Sequence, residues 1–510
     1  MFLKWVYIPP LLIYASAGVS GITNIVGVFY LKDYLNLSAA FIASLGFWIG
    51  IPWSLKMPIG FLVDKYWKIK EYLIYFGSLI IFISLIIMYF LLTARSVMEN
   101  YLTAEVWYII SAILTPVGYV IQDVVADAMT VEAVESRYIN SNKSALAISK
   151  KKKDHTLLQL YGRFAIILGS LLVSVINLLI FRNVDINDDI LLNKAYSKIY
   201  IYSLFIPFIS VSGIVLYKIF SKATQVKDYN VSKLDHKIFY GSILFVFMAL
   251  GLGSSKISFA QELVLFISLI LIAILMKFLM KSLSKEHRNS IIGTAIIIFI
   301  YRSIPGPGPG INWFEIDILN FDQSFLSLLS IIATSITLIS LILLRKAMIN
   351  STIAKLFVVL SIISSLLYLP SIFMYYGIHN ITSELTSGLI DARFIAIINV
   401  GIESPVGQIA MIPLLVWIAK NAPLKYKATF FAVFASFTNL ALSARELFTK
   451  YLNKAYIVKR EVLDQKTGEV IIKADYTNLD SILIIVTAST LIIPILTIFI
   501  IQKSKYFTKD

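Results

Sequence analysis

The sequence has no cysteine among its 510 residues. It therefore has no disulfide framework, no thiol chemistry and no metal site built on thiolates. Charged residues are scarce as well: they make up 15% of the chain, whereas a soluble domain usually has about 25%. This shortage excludes a large soluble domain, whose surface would need more charge than the chain provides.

Hydrophobic residues, in contrast, account for 58% of the chain and occur in long blocks. Blocks of about 20 residues are long enough to cross the roughly 30 Å hydrocarbon core of a bilayer. The pattern predicts an all-α polytopic membrane protein with about 14 transmembrane helices. We place these spans near residues 8–31, 38–63, 72–93, 105–131, 158–181, 199–220, 238–254, 259–280, 291–305, 324–345, 354–377, 386–418, 428–450 and 480–502.

The net charge of +15 comes from 45 basic against 30 acidic residues. Nucleic acid is not the expected partner, because the basic residues lie in short loops between the spans. With the N-terminus inside, the inner segments carry 26 Lys and Arg and the outer segments carry 11. This bias predicts a protein of the cell (inner) membrane with both termini cytoplasmic.

The even number of spans and the shared side of the termini favour a transporter built from two six-helix halves. We expect residues 1–220 to form the N-terminal half and residues 291–510 the C-terminal half. Residues 221–290 would link them and contribute two additional transmembrane helices.

Two carboxylates inside a predicted span are the first candidates for function. Asp123 and Asp127 are four residues apart, so on a helix they share one face. Two such charges at low dielectric cannot both ionise cheaply, and one should hold a proton or find a cation. The pair suits either proton-coupled transport or a structural ion-pair network at the helix end.

Basic residues inside the spans are the second set of candidates. Lys56 needs a carboxylate or an anionic solute when buried, and Asp123 or Asp127 is its obvious partner within the chain. Arg163 could counter the same two carboxylates or bind a carboxylate of the solute through its planar fork. A position near the cytoplasmic interface is the alternative for both residues.

The C-terminal half contributes further candidates for substrate or coupling contacts. Arg302 precedes a Gly/Pro run, 305–310, that must break its helix. A broken helix near an arginine is a plausible anion site, although the run could equally be an outer hairpin. The remaining candidates are polar residues in the last predicted spans, namely Asp391, Gln408 and Asn439.

Several motifs resemble those of known membrane transporters. Gly60 and Asp64, at the end of the second span, resemble the loop signature of the major facilitator superfamily. The stretch Pro52, Trp53, Lys56, Gly60 and Asp64 is similar to a motif of the folate-biopterin transporter family, a branch of that superfamily. It departs by placing Met57 after the lysine and Val63 before Asp64. A second motif of that family is matched in full by Asp123, Ala126, Asp127, Ala128, Val131 and Glu132.

The resemblance implies a major facilitator fold and a gate or structural role for Trp53, Gly60, Asp64 and Glu132. It also implies a secondary active transporter of folate-like or pterin-like organic anions that works by alternating access. We expect an anionic small molecule, the lipid bilayer and protons as partners, with no cofactor, no metal and no nucleic acid.

Two other functions fit some of the residues. One is a major facilitator transporter of a different small metabolite. The other is a membrane-embedded transferase in which Asp123 and Asp127 hold Mg²⁺ on a diphosphate. Such a site needs oxygen ligands from two sides, and the only other aspartate cluster, 185–189, is predicted on the opposite side of the membrane. We therefore expect no enzyme.

Overall fold

The computed structural model describes most of the chain. The described residues are 5–33, 37–54, 70–138, 145–182, 189–221, 251–252, 259–343, 352–401, 427–463 and 470–508, with the single positions Lys56, Ile59, Val63, Val184, Tyr240, Leu244, Met248, Ile257 and Val406. All statements about the structure below concern these residues.

The first part of the chain is entirely helical in the described residues. Its helices are α1 (Ile8–Val19), α2 (Asn24–Asp33), α3 (Ala39–Ser54), α4 (Lys70–Thr93), α5 (Arg95–Glu99), α6 (Ala104–Tyr138), α7 (Ala145–Phe181), α8 (Asp189–Ser203) and α9 (Ile206–Ser221). Short 3₁₀ turns, Trp5–Tyr7 and Ser20–Thr23, precede and follow α1.

The second part adds ten helices and one small hairpin. The helices are α10 (Ala260–Leu279), α11 (Lys285–Ser303), α12 (Gly310–Asp317), α13 (Gln323–Leu343), α14 (Ile353–Leu366), α15 (Leu369–Tyr375), α16 (Ile378–Leu385), α17 (Ala392–Gly401), α18 (Lys427–Ala455) and α19 (Leu479–Gln502). Strands β1 (Val462–Leu463) and β2 (Val470–Ile472) pair antiparallel between α18 and α19.

Several helices begin where the sequence supplies a capping side chain. Ser284 and Thr352 accept hydrogen bonds from backbone N–H groups three residues later, at the starts of α11 and α14. Asp322 does the same at the start of α13, where Phe325 N donates a hydrogen bond of 2.7 Å to its carboxylate. Such caps satisfy donors that a helix leaves unpaired in its first turn.

Nine helical stretches of the described residues are long and apolar enough to cross a membrane. They are Trp5–Tyr30, Lys70–Thr93, Ala104–Val134, Leu160–Phe181, Ile190–Ile219, Ala260–Lys277, Gln323–Leu343, Ile353–Tyr375 and Leu479–Gln502. The expectation of an all-α, multi-pass membrane protein is therefore confirmed. The count of about 14 spans stays a prediction, because parts of the chain such as 407–426 lie outside the described residues.

The largest departures from the predicted spans occur at polar helix ends. The predicted span 105–131 is part of α6, which continues to Tyr138, and the predicted span 158–181 is part of α7, which begins at Ala145. The predicted span 199–220 begins earlier, at Ile190. Polar residues end a membrane span without ending a helix, because backbone hydrogen bonds continue into water.

The chain forms two compact units. The first unit contains Met1–Gly27 and Lys56–Phe239, and the second contains Val28–Leu55 and Tyr240–Asp510. The division into residues 1–220, 221–290 and 291–510 remains a prediction.

In the first unit, α4 and α6 pack closely along much of their length. A Cβ atom added at Gly77 would lie 2.8 Å from the carbonyl oxygen of Gly118, and one at Gly118 would lie 2.7 Å from that of Gly77. Only two glycines permit this approach of the two backbones. Ser84 of α4 reinforces the pair by bonding to Ser111 at 2.8 Å and Thr115 at 2.6 Å.

The second unit has an aromatic core around α12. Its buried members include Trp313, Phe314, Phe321, Phe325, Val458 and Tyr476. The Tyr476 hydroxyl donates a hydrogen bond to Asp317, and the Arg460 guanidinium lies 5.5 Å from the Trp313 ring centre. The segment that carries β1 and β2 is therefore anchored to α12.

Candidate functional site

The two predicted carboxylates lie on one face of α6 in the first unit, and each has its own partner. Asp123 pairs with the ammonium group of Lys56, and both side chains are mostly buried, with 17% and 15% of their surface exposed. Asp127, one turn further along, accepts a hydrogen bond of 2.5 Å from the hydroxyl of Tyr14 on α1. The two acids are thus chemically distinct in spite of their identical side chains.

Tyr14 was not foreseen from the sequence. Its ring packs against α7 at Gly162, where an added Cβ would lie 2.8 Å and 2.9 Å from two ring carbons. Glycine at this position leaves room for the ring, and the ring holds the hydroxyl on Asp127. No local pattern marks Tyr14, because its partner lies 113 residues away in the chain.

Arg163 follows Gly162 on α7 and adds a positive charge to the group. Its charge acts on Tyr14, Lys56 and Asp127, so it lies within electrostatic range of all three. Its guanidinium forms no ion pair of 4.0 Å or less within the part of the chain that the structure describes. The structure thus brings together four of the predicted residues, Lys56, Asp123, Asp127 and Arg163, with Tyr14.

The charges of this group balance only when both carboxylates are ionised. Lys56 and Arg163 then offset Asp123 and Asp127. Two like charges about 6 Å apart repel by roughly 3 kcal/mol at an effective dielectric constant of 20. A proton on Asp127 removes this repulsion and leaves the group with one net positive charge, which an anion can neutralise.

Hydrogen bonds of Gln122 fix the rotation of α6 about its own axis. The buried side chain of Gln122 donates to Ser78 of α4 at 2.8 Å and accepts from Ser210 of α9 at 2.8 Å. Ser210 in turn lies 2.6 Å from Ser16 of α1. Because Gln122 precedes Asp123, this network holds both carboxylates towards Lys56 and Tyr14.

Glu132 occupies the polar end of the same helix. Its carboxylate lies 3.2 Å from the ammonium group of Lys70 on α4 and accepts a hydrogen bond of 2.8 Å from Tyr217 on α9. Glu132 and Lys70 are both about 5% exposed. This buried triad links α4, α6 and α9. The gate or structural role of Glu132 stays a prediction.

Two predicted residues meet in the second unit, between α3 and α18. The side-chain amide of Asn439 on α18 donates a hydrogen bond of 3.0 Å to the carbonyl oxygen of Trp53 on α3. This bond joins the two helices. The role of Asn439 as a substrate contact stays a prediction.

The other candidates are dispersed or not described. Asp391 caps α17 by accepting a hydrogen bond of 2.8 Å from Phe394 N. Arg302 lies in the last turn of α11, before the predicted helix break, and the structure confirms that α11 ends at Ser303. Gly60, Asp64 and Gln408 lie outside the described residues. Within those residues, no three His, Asp or Glu side chains are grouped closely enough to hold a metal ion.

The sequence matches one family model, described as the BT1 family, over residues 17–509. A search of curated proteins by sequence finds no match.

Similar folds occur among solved transporters. A POT family transporter in complex with a thioalcohol-conjugated peptide has a TM-score of 0.58 at 13% identity, over 98% of this chain and 94% of the other. The peptide transporter POT in complex with sulfate has a TM-score of 0.59 at 14% identity, over 99% and 96%. The nucleoside transporter NupG has a TM-score of 0.53 at 12% identity, over 98% and 99%. At these identities the likeness shows the fold alone.

These matches correct the family that the sequence motifs suggested. The matching model is that of the BT1 family, the similar structures are transporters of peptides and of a nucleoside, and none of these descriptions names a folate or a pterin. The folate-biopterin assignment and its implied substrate are withdrawn. The physical reason is that a few motif residues in register fix helix packing and charge placement, and neither of these identifies a solute.

Proposed function

The chain belongs to the BT1 family, and from that premise we propose that it carries a small organic anion together with protons. It is a multi-pass membrane protein of the major facilitator type, a secondary transporter and not an enzyme. The proposal concerns what drives transport, what class of solute is carried and which residues couple the two.

The observation that supports proton coupling is the unequal pairing of two neighbouring acids. Asp123 has a cationic partner in Lys56, whereas among the described residues the side chain of Asp127 has only the neutral hydroxyl of Tyr14 as a hydrogen-bond partner. An ionised carboxylate without a cation is costly away from water. Asp127 is therefore the site that takes up and releases the proton, and Asp123 stays ionised in its pair with Lys56.

Charge balance supports an anion as the solute. When Asp127 is protonated, Lys56 and Arg163 face Asp123 alone, and the group has an excess positive charge. A carboxylate of the solute restores neutrality, with the planar guanidinium of Arg163 suited to bind both of its oxygens. Release of the proton restores the second negative charge and weakens binding of the anion. Proton and anion are thereby bound and released together.

We also propose that the protein lies in the cell membrane with both termini in the cytoplasm. The excess of Lys and Arg in the loops on one side supports this orientation.

The test uses the purified full-length protein in proteoliposomes with an inward proton gradient. The labelled probes are p-aminobenzoyl-glutamate, its diamide, alanyl-alanine and uridine, so that anionic, neutral, peptide and nucleoside solutes are compared. We expect the gradient to drive accumulation of the dicarboxylate, and Asp127→Asn to abolish this accumulation while exchange of the same probe persists. Asp322→Asn is the matched control, because asparagine also caps a helix well.

Two outcomes would count against the proposal. If the Asp127→Asn variant still accumulates the probe with the pH dependence of the wild type, Asp127 is not the proton site. A wild-type protein that transports the diamide as well as the acid would exclude an anionic solute.

A further inference from the structure

The second unit contains an arginine, close to the point where α11 ends, whose guanidinium group has no hydrogen-bond or ion-pair partner among the described residues. The segment after α11, residues 304–309, lies against α18. Gly306 N donates a hydrogen bond of 2.9 Å to Thr449 Oγ1, and Asn453 Nδ2 donates one of 3.3 Å to the carbonyl oxygen of Pro307. Both contacts fix this segment on one face of α18.

Arg445 lies one turn before Thr449 on the same face, and its guanidinium is in contact with Gly306. A Cβ atom added at Gly306 would lie 2.9 Å from one terminal nitrogen of Arg445 and 3.4 Å from its Nε. The guanidinium thus approaches the glycine backbone, and any larger residue at position 306 would displace it.

This guanidinium forms no hydrogen bond or ion pair in the described part of the chain. Thr449 Oγ1 donates a hydrogen bond of 2.8 Å to Arg445, but the acceptor is the backbone carbonyl oxygen of Arg445 and not its side chain. The adjacent acid, Glu446, lies against α3, where an added Cβ at Gly46 would be 3.0 Å from its carboxylate oxygen. Consecutive residues of a helix point in different directions, and although the charge of Arg445 acts on Glu446, no ion pair of 4.0 Å or less joins them in the described part of the chain. A half-buried arginine without an anion is unfavourable in a membrane protein.

A second positive charge lies near the same position. The charges of Arg302 and Arg445 both act on the hydroxyl of Tyr301 on α11, which also lies 3.5 Å from Ser364 Oγ. The charges of two arginines from different helices therefore reach one phenol hydroxyl in the last turn of α11. Arg–carboxylate pairs are strong and geometrically specific because two parallel hydrogen bonds form.

We propose that Arg445, with Arg302 and the Tyr301 hydroxyl, forms an oxyanion site in the second unit that binds a carboxylate of the transported solute. The inference rests on the proposed function for the identity of the solute, but the site itself is defined by its own contacts. Arg445 is the specificity-determining residue, and Gly306 is the residue that positions its guanidinium.

The test measures binding, so that it is independent of transport. Full-length protein in phosphatidylcholine nanodiscs is titrated with p-aminobenzoyl-glutamate and with its diamide. We expect the acid to bind at least tenfold more tightly, and Arg445→Gln to raise its Kd roughly tenfold or more while the Kd of the diamide stays unchanged. Arg445→Lys should give an intermediate Kd, because lysine keeps the charge but not the fork.

Gly306→Ala provides a variant that keeps every charge. The added methyl group displaces the guanidinium, and we expect most of the preference for the acid to be lost. Gly251→Ala is its control, because no described residue lies within 4 Å of an added Cβ there. Arg393→Gln is the control for charge removal, since Arg393 bonds to the carbonyl oxygen of Asn320 at 3.2 Å. Both controls should bind the acid as wild type does.

Repeating the titration in nanodiscs with phosphatidylglycerol separates a solute anion from a lipid phosphate. If the wild type binds the acid more weakly in phosphatidylglycerol, and Arg445→Gln removes this difference between the two lipids, the site binds a lipid headgroup and the proposal is overturned. Equal binding of acid and diamide by the wild type, or no binding of either, would overturn it as well. If the Arg445-dependent preference is observed but no proton-driven uptake occurs, only the proposed function fails.

Discussion

At the scale of single residues, the central feature is that two aspartates of one helix face have different partners. Lys56 neutralises Asp123, whereas Tyr14 only donates a hydrogen bond to Asp127. Identical side chains can thus have different tasks, because the protonation of a carboxylate depends on its neighbours. The position of Tyr14 in turn depends on Gly162, which accommodates its ring.

Tyr14→Phe should alter the pH dependence of transport more than its maximal rate. The ring is retained, but the ionised form of Asp127 loses its donor and becomes less stable. A hydrogen bond to a charged group contributes about 1.5–3 kcal/mol, so we expect the midpoint of the pH profile to move upward by about one unit or more. Uptake by proteoliposomes between pH 5 and pH 8 measures this shift.

Tyr7→Phe is the matched control for that measurement. The Tyr7 hydroxyl is buried and has no hydrogen-bond partner among the described residues, so its removal should leave the midpoint in place. An unchanged midpoint in Tyr14→Phe would show that the tyrosine has no part in proton binding.

Lys56→Ala should discriminate between solutes by charge. Removing the ammonium group leaves Asp123 without its cation and the site with less positive charge. We expect the KM for p-aminobenzoyl-glutamate to rise tenfold or more, with a smaller effect on any neutral solute that the protein carries. Equal losses for charged and neutral solutes would indicate a structural role only.

The sequence predicted part of this site and missed the rest for a physical reason. Asp123, Asp127 and Lys56 could be found because a charge inside an apolar run is unusual and a spacing of four residues places two side chains on one face. Tyr14 could not be found, because a tyrosine in an apolar helix carries no signal and its partner is brought near only by folding. Arg445 lies inside the predicted span 428–450 and carries the same signal as Lys56, but its contact with Gly306 arises only on folding and could not be found.

At the scale of elements, the packing of α4 against α6 determines where the site residues point. Gly77 and Gly118 bring the two backbones into contact, and Gln122 bonds to Ser78 from the adjacent turn. The hydrophobic blocks predicted that these helices exist and span the membrane. They did not predict the polar extensions of α6 and α7, because a block of apolar residues marks the membrane and not the end of a helix.

Gly118→Ala should destabilise this pair. The added methyl group would lie 2.6 Å from Ile81 and 2.7 Å from the Gly77 carbonyl oxygen. Overpacking of this kind costs typically 1–3 kcal/mol. We expect the apparent Tm of the purified protein, followed by intrinsic fluorescence, to fall by several degrees. Gly27→Ala on α2 serves as the control, since no described residue lies within 4 Å of its added Cβ. A Tm of Gly118→Ala equal to that of the control would refute the close packing.

At the scale of the whole molecule, the fold was predictable from composition, but the solute was not. Long apolar blocks and few charges lead directly to a multi-pass helical protein, and the likeness to solved transporters confirms that fold. The family suggested by the motifs was wrong. Motif residues such as Trp53 and Glu132 join neighbouring helices, with Asn439 and Lys70 as their partners, and such contacts carry no information about a substrate.

The proposed orientation can be tested directly because the protein has no cysteine. Tyr101, 78% exposed between α5 and α6, should lie outside the cell, and the exposed Lys505 should lie inside. A membrane-impermeant maleimide should label Tyr101→Cys on intact cells and Lys505→Cys only after permeabilisation. The reverse labelling would exclude the proposed orientation, in which both termini lie in the cytoplasm.

The ties between α4 and α6 have a mechanical consequence. They recur at intervals along the pair, from Lys70 with Glu132 at one end, through Ser78 with Gln122, to Ser84 with Ser111 near the other. Because these bonds join the two helices at successive turns, they resist sliding and rotation of α6 against α4. In the proposed mechanism a proton on Asp127 alters the bond to Tyr14, so we expect the contact between α1 and α6 to change before the contact between α4 and α6 does.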